Sequence, residues 1–224
     1  MGERQKRFVE MYPNVHETVL RYFPEFDYNA PAGDRNVLCD MRNPGNMVGH
    51  QQRAVTSYWA IETCGPLDLG LDIGSPKGMT PLCIHVDLFG DGKPHPFYGG
   101  GPYNADVAFD ASRIDEIVPD SSLPYIASNH SLEHMPGEGG DAGVVDLLVR
   151  WLGLLRQGGV LAMVIPDNDH FDVMACDKDH KHAWGHKDFE ARILRPLLGK
   201  TPADVIGFDT LNNNFSFDVI LRKR

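Results

Sequence analysis

The chain has 224 residues, 42% of them hydrophobic and 23% charged, a mixture that excludes a disordered, collagenous or coiled-coil chain and is long enough to bury a core without metal or disulfide support. With 21 basic against 31 acidic residues the formal charge is −10, which argues against a generic grip on phosphate backbones or anionic lipid, because both need basic surface. Cys39, Cys64, Cys83 and Cys176 form no CxxC pair, so neither a zinc ribbon nor a thioredoxin-like site is expected, and reduced, partly buried thiols are.

The N-terminal stretch MGERQKRFVEMYP lacks an apolar signal core, and no apolar run is long enough to span a membrane; a cytoplasmic protein is the expectation. Residues 3–11 predict a short helix ending before Pro13. Asn14 and Glu17 have capping-box spacing, and Val15, Val19, Leu20 and Phe23 would line the apolar face of a second helix. Residues 29–45, rich in Pro, Gly, Asp and Asn, predict loop. Residues 46–63 predict a helix stopped by Gly65 and Pro66. Residues 1–65 thus read as a helical cap on one domain, 1–224, whose core is 66–224.

Beyond Pro66 short apolar runs alternate with helical segments. Residues 67–73, 82–86, 107–109, 123–128 and 160–165 predict strands. Residues 144–155 predict a buried helix and 188–198 an amphipathic one. This alternation implies βα units and a doubly wound, mostly parallel α/β sheet. Residues 203–208 and 215–221, linked through Asn212–Asn214, predict a final antiparallel pair. Residues 90–104, with three consecutive glycines before Pro102, predict a surface loop in place of a helix.

The first chemically informative stretch is LDLGLDIGSPKG, residues 67–78, where a strand runs into a glycine turn with Asp72 two positions before Gly74. Open α/β sheets bind ligands at such carboxyl ends. Asp87 closes the strand LCIHV, where an acid can accept hydrogen bonds from both hydroxyls of a ribose. Asp110 closes VAF and sits where an adenine edge would lie.

In these residues the chain resembles the class I S-adenosylmethionine-dependent methyltransferases of the type 11 kind. LDIGSPKG is similar to the family's first motif, HVD to its second-strand acid, FDASRI to the segment after its third strand, YIASNHSLEHM to its fourth strand and Leu-Glu-His signature, and LLRQGGVLAMVIPD to its glycine turn and fifth strand. Order and spacing agree from about Leu67 to Asp167 and beyond to Asp169. The resemblance implies a seven-stranded Rossmann-like fold with a C-terminal antiparallel hairpin. It implies S-adenosylmethionine as cofactor, with S-adenosylhomocysteine as product, held by Asp72, Gly74, Ser75, Pro76, Gly78, Asp87, Leu88, Asp110, Ala111, Asn129 and His130. Two departures stand out. Pro76 replaces the middle glycine, and Asp87 follows Gly74 by only 13 positions, so the first crossover helix must be absent or reduced to a turn. Gln157 also replaces the usual proline before Gly158 and Gly159.

His130 and His134 are the candidates to take a proton from an acceptor, the ordinary imidazole pKa suiting that task; a histidine placed like His134, near a helix start, more often orders its loop by hydrogen bonds than does chemistry. Residues 167–188 hold nine Asp and His side chains from Asp167 to His186 besides Asp188. No HExxH or EF-hand pattern appears, so no metal site is expected there; a solvated lid recognising the acceptor through His180, His182 and His186 is. Trp151 and Trp59 are expected to pack, and Trp184 either to pack or to stack on substrate. The reading is a methyltransferase for a small-molecule or sugar acceptor, with no nucleic acid or membrane partner and with a homo-oligomer left open. The alternatives are a non-catalytic binding protein of the same fold and a metal-dependent enzyme built on residues 167–188.

Overall fold

The computed structural model describes residues 55–60, 62–64, 68–75, 80, 82–95, 99–136, 138–211 and 216–224. The predicted helices within 3–23, the loop 29–45, Pro76, Gly78 and Asn212–Asn214 lie outside the described residues, and so does most of the proposed N-terminal cap. Residues 55–60 and 62–63 are helical, in line with the expected helix.

Among the described residues nine strands follow in chain order: β1 Gly70–Ile73, β2 Cys83–Asp87, β3 Asp91–His95, β4 Gly99–Asn104, β5 Val107–Ala108, β6 Leu123–Asn129, β7 Leu155–Pro166, β8 Ala203–Thr210 and β9 Ser216–Lys223. Seven form one sheet in the order β5-β2-β1-β6-β7-β9-β8. β5, β2, β1, β6 and β7 run parallel, and β9 is antiparallel to both β7 and β8. The sequence-based expectation of a mostly parallel sheet ending in an antiparallel pair is met.

Period-2 alternation decides the two faces. From β7, Leu161, Met163 and Ile165 enter one core with Trp151 and Leu148, while Val160, Ala162 and Val164 enter a second core with Val55 and Ala60. The first core lies under helix α1, Asp141–Leu154, whose Val144, Leu148, Trp151 and Leu152 are buried. That apolar face recurs every three to four residues, as a helix laid on a sheet requires. The second core is covered by residues 55–60 and 62–64, with Tyr58 and Trp59 packed against it. Tyr125 on β6 ties this layer down, its hydroxyl donating to the Thr56 carbonyl at 2.7 Å.

Two connections differ from ordinary βα units. Only residues 74–82 join β1 to the parallel β2, fewer than the dozen or so a helical crossover usually takes; of these, 76–79 and 81 lie outside the described residues. Between β2 and β5 the chain forms the antiparallel hairpin β3–β4, where a loop was expected. Gly99–Gly101 before Pro102 made this stretch look unfit for strands, but an edge hairpin tolerates glycine and proline that a central strand would not, and Gly92 takes φ +85° within it.

Candidate functional site

The carboxyl ends of β1, β2, β5, β6 and β7 share one edge of the sheet, and those of the predicted cofactor residues that are described lie along it or just beyond it. β1 ends at Ile73, and Gly74 turns the chain at φ +74°. A Cβ on Gly74 would stand 2.3 Å from the Ser131 Cβ. The glycine is therefore required by close packing of the two turns as well as by its left-handed backbone. The Ser131 hydroxyl locks this junction, donating to the Ile73 carbonyl at 2.9 Å and lying 2.7 Å from the Ser128 hydroxyl. Ser75, next along, is buried.

Asp72 is fully buried in β1, and its neighbour is His85 on β2, with Nε2 3.8 Å from the carboxylate. The Thr80 N–H donates to that Nε2 at 3.2 Å, so the ring proton sits on Nδ1 and is donated to Asp106, 2.9 Å away. His85 thus links three segments at the site. Its position inside an apolar strand gave no reason to single it out.

Asp87 lies at the end of β2 and is buried. Its Oδ1 accepts the Phe89 N–H at 2.7 Å, and its Oδ2 accepts the hydroxyl of Tyr103, from the hairpin, at 3.1 Å. Each carboxylate oxygen has a second lone pair, so Asp87 retains capacity for ribose hydroxyls while sharing itself with the hairpin. Leu88 is exposed beside it. Asp110 caps the 3₁₀ turn Ala111–Glu116, its Oδ1 accepting from the Ser112 N–H at 2.9 Å and the Ser112 hydroxyl at 2.7 Å. Ala111 is buried, and its carbonyl accepts the Trp151 indole N–H.

At the end of β6 the Asn129 carboxamide is buried with Oδ1 lacking a hydrogen-bond partner. His130 follows in the left-handed region at φ +49°, and its Nε2 lies 2.8 Å from the Ser216 hydroxyl on β9. Strain of this kind in a non-glycine residue concentrates at functional positions. The 3₁₀ turn Leu132–His134 comes next. Burial lowers the pKa of His130 to about 3, with His180 and His134 adding to the effect. Burial likewise lowers that of His134 to about 4, with His180 the next cause. Both rings are neutral at pH 7 and weaker bases than a free imidazole, a poor match to the ordinary imidazole pKa expected for proton transfer.

Glu133, between them, is fully buried. Burial drives its pKa up to about 8, its own backbone N–H opposing and Asp177 adding to the rise. Its Oε1 faces three imidazoles: His130 Nδ1 at 3.8 Å, His180 Nε2 at 3.8 Å and His134 Nε2 at 4.0 Å.

The Asp/His-rich segment, expected as a solvated lid, is exposed over much of its length and anchored at the buried Asp167, Val173, His180 and Trp184. Asp167 is fully buried and pairs with His170, and its Oδ1 accepts the N–H groups of Asp169 and His186. Asn168 donates its N–H to the Trp184 carbonyl, closing the segment's ends together. The Glu133 carbonyl accepts the N–H groups of Lys181 at 2.8 Å and His182 at 3.2 Å. Trp184 is core, with its indole N–H on Asp141. The three histidines expected to act together separate. His182 stacks on Trp184, His186 stacks on Phe208, and His180 alone reaches Glu133. Polar backbone satisfied by turns and carboxylates let this segment pack despite its composition. Cys176, at its centre, is disulfide-bonded, against the expectation of reduced thiols, while Cys64 and Cys83 are free.

This strand order, with acids and a glycine turn along the carboxyl edge, is the fold of the class I S-adenosylmethionine-dependent methyltransferases. An S-adenosylmethionine-dependent methyltransferase from Archaeoglobus fulgidus superposes with a TM-score of 0.55 at 17% identity, over 85% of this chain and 100% of that one. The N-methyltransferase NodS from Bradyrhizobium japonicum, solved with S-adenosylhomocysteine, gives 0.53 at 14% identity over 94% and 98%. A chain of the Haloferax volcanii complex between the Trm112 methyltransferase activator and a methyltransferase gives 0.51 at 13% identity over 84% and 97%. No family model matches the sequence, and no curated protein matches it. At these identities the likeness is one of fold. Among the described residues no helix is long and apolar enough to cross a membrane.

Proposed function

We propose that this protein is an S-adenosylmethionine-dependent methyltransferase acting on a small-molecule or sugar acceptor. The observation that supports it most is the alignment of Gly74, buried Asp87 and buried Asn129 on the carboxyl edge of a sheet with this strand order. In this reading Asp87 accepts the ribose hydroxyls, the Gly74–Ser75 turn with Pro76 and Gly78 holds the methionine end, and Asp110, Ala111 and Asn129 frame the adenine. The cofactor supplies an activated sulfonium methyl. The chain's own residues contribute proximity and in-line alignment, which suffice for displacement at such a carbon. In this reading His130 or His134 would take a proton only from an acceptor already acidic, because burial keeps both rings neutral at pH 7. The negative net charge favours a small acceptor over nucleic acid.

Calorimetric titration with S-adenosylhomocysteine tests this directly. One site per chain is expected, with a rise in melting temperature; at a hundred times the dissociation constant a ligand stabilises by about 2.7 kcal/mol. A melt unmoved by millimolar ligand would sink the reading.

A further inference from the structure

We propose that Glu133, His134 and His180 form a binding site for one divalent late first-row transition ion, of the zinc class. One ligand atom from each lies within 4.8 Å of the other two. Glu133 is fully buried, and neither carboxylate oxygen has a hydrogen-bond partner from another residue. A buried carboxylate without partners is costly unless a cation or proton satisfies it. The ring nitrogens stand too far from Oε1, at 3.8 to 4.0 Å, to serve as hydrogen-bond donors. They stand near the separation of ligands that share an ion, since bonds of about 2.0–2.1 Å at tetrahedral angles put donor atoms about 3.3–3.4 Å apart.

The surroundings orient the rings as ligands. His180 Nδ1 lies 2.6 Å from the Val173 carbonyl, so it carries the ring proton and leaves the Nε2 lone pair toward Glu133. His134 is hydrogen-bonded to the Asp179 backbone. His180 is itself buried, and the bonds from Lys181 and His182 to the Glu133 carbonyl hold it against the turn. Two imidazoles and one carboxylate suit zinc and its neighbours over magnesium, which prefers oxygen. Three protein ligands leave a fourth position for another donor, and His130 Nδ1 lies 3.8 Å from the Glu133 Oε1. This site does not rest on the methyltransferase reading, and it differs from a cluster built within residues 167–188: only His180 comes from that segment.

The test uses untagged full-length protein, dialysed against chelator, without S-adenosylhomocysteine. Calorimetry with Zn²⁺ is expected to show one equivalent bound and millimolar Mg²⁺ none. Co²⁺ is expected to give a visible d–d absorption band on the wild type. Glu133→Gln and His180→Ala should each weaken Zn²⁺ by more than about a hundredfold, beyond the loss typical of changes around a site rather than in it. His170→Ala, which removes the exposed imidazole beside Asp167, should bind as the wild type does. Absence of stoichiometric Zn²⁺ on folded wild type, equal binding by both ligand variants, or a Co²⁺ spectrum matching the free ion would each overturn the proposal. The Co²⁺ spectrum decides the matter on the wild type even if a variant fails to fold.

Discussion

Gly74→Ala places a methyl group where the structure has no room for one. The backbone there is left-handed at φ +74°, which costs an L-residue about 1–2 kcal/mol. The new Cβ would lie 2.3 Å from the Ser131 Cβ and 2.9 Å from its Oγ. Rotating the serine does not move its Cβ, so one of the two turns must shift, at about 1–3 kcal/mol for overpacking. A shift also disturbs the Ser131 bond to Ile73, worth about 1 kcal/mol. Together these predict a loss of about 3–6 kcal/mol in unfolding free energy. Gly158 supplies the control: its φ is +75°, but nothing lies within 4 Å of an added Cβ. Gly158→Ala should therefore cost only the backbone part, about 1–2 kcal/mol. Urea denaturation followed by circular dichroism measures both. Adding Ser131→Gly to Gly74→Ala should recover part of the loss. If Gly74→Ala and Gly158→Ala unfold at the same urea concentration, the turns are not packed as described.

Asp87→Ala should weaken S-adenosylhomocysteine at least tenfold, since each charge-assisted bond is worth about 1.5–3 kcal/mol, while Asp110→Ala should chiefly destabilise through its lost cap, by about 0.5–2 kcal/mol; paired calorimetry and urea melts check both, and equal small effects on binding would misplace the pocket. His182→Ala and His186→Ala should each lower stability by about 0.5–1.5 kcal/mol through the lost ring contacts with Trp184 and Phe208, and a loss of S-adenosylhomocysteine affinity instead would return them to the binding site. Burial raises the thiol pKa of Cys83, and also of Cys64; a raised pKa means less thiolate at a given pH, so native protein at pH 8 should resist iodoacetamide at both positions until denatured, as mass spectrometry would show, and rapid native labelling would contradict their burial.

The strands and the two faces of the sheet were legible because local apolar periodicity decides them: VLAMVI alternates between two cores, and α1 repeats its buried face over the same sheet. The glycine turn, the strand-end acids and the short first crossover were legible too, since each is a matter of residue type and spacing along one stretch of chain. The hairpin β3–β4 was not, because its pairing satisfies backbone groups that glycine and proline composition says nothing about. Nor was the sharing of Asp87 with Tyr103, sixteen positions away. The Asp/His-rich segment shows the limit most clearly. Its charge predicted solvation, and much of it is exposed, yet Asp167, Trp184 and the Glu133 carbonyl give some of its polar groups partners and anchor it. Only that docking brings His180 to Glu133 and His134, which it follows by more than forty positions. Periodicity acts between neighbours in the chain, whereas a ligand cluster depends on distances in space, and these exist only once the loops have packed.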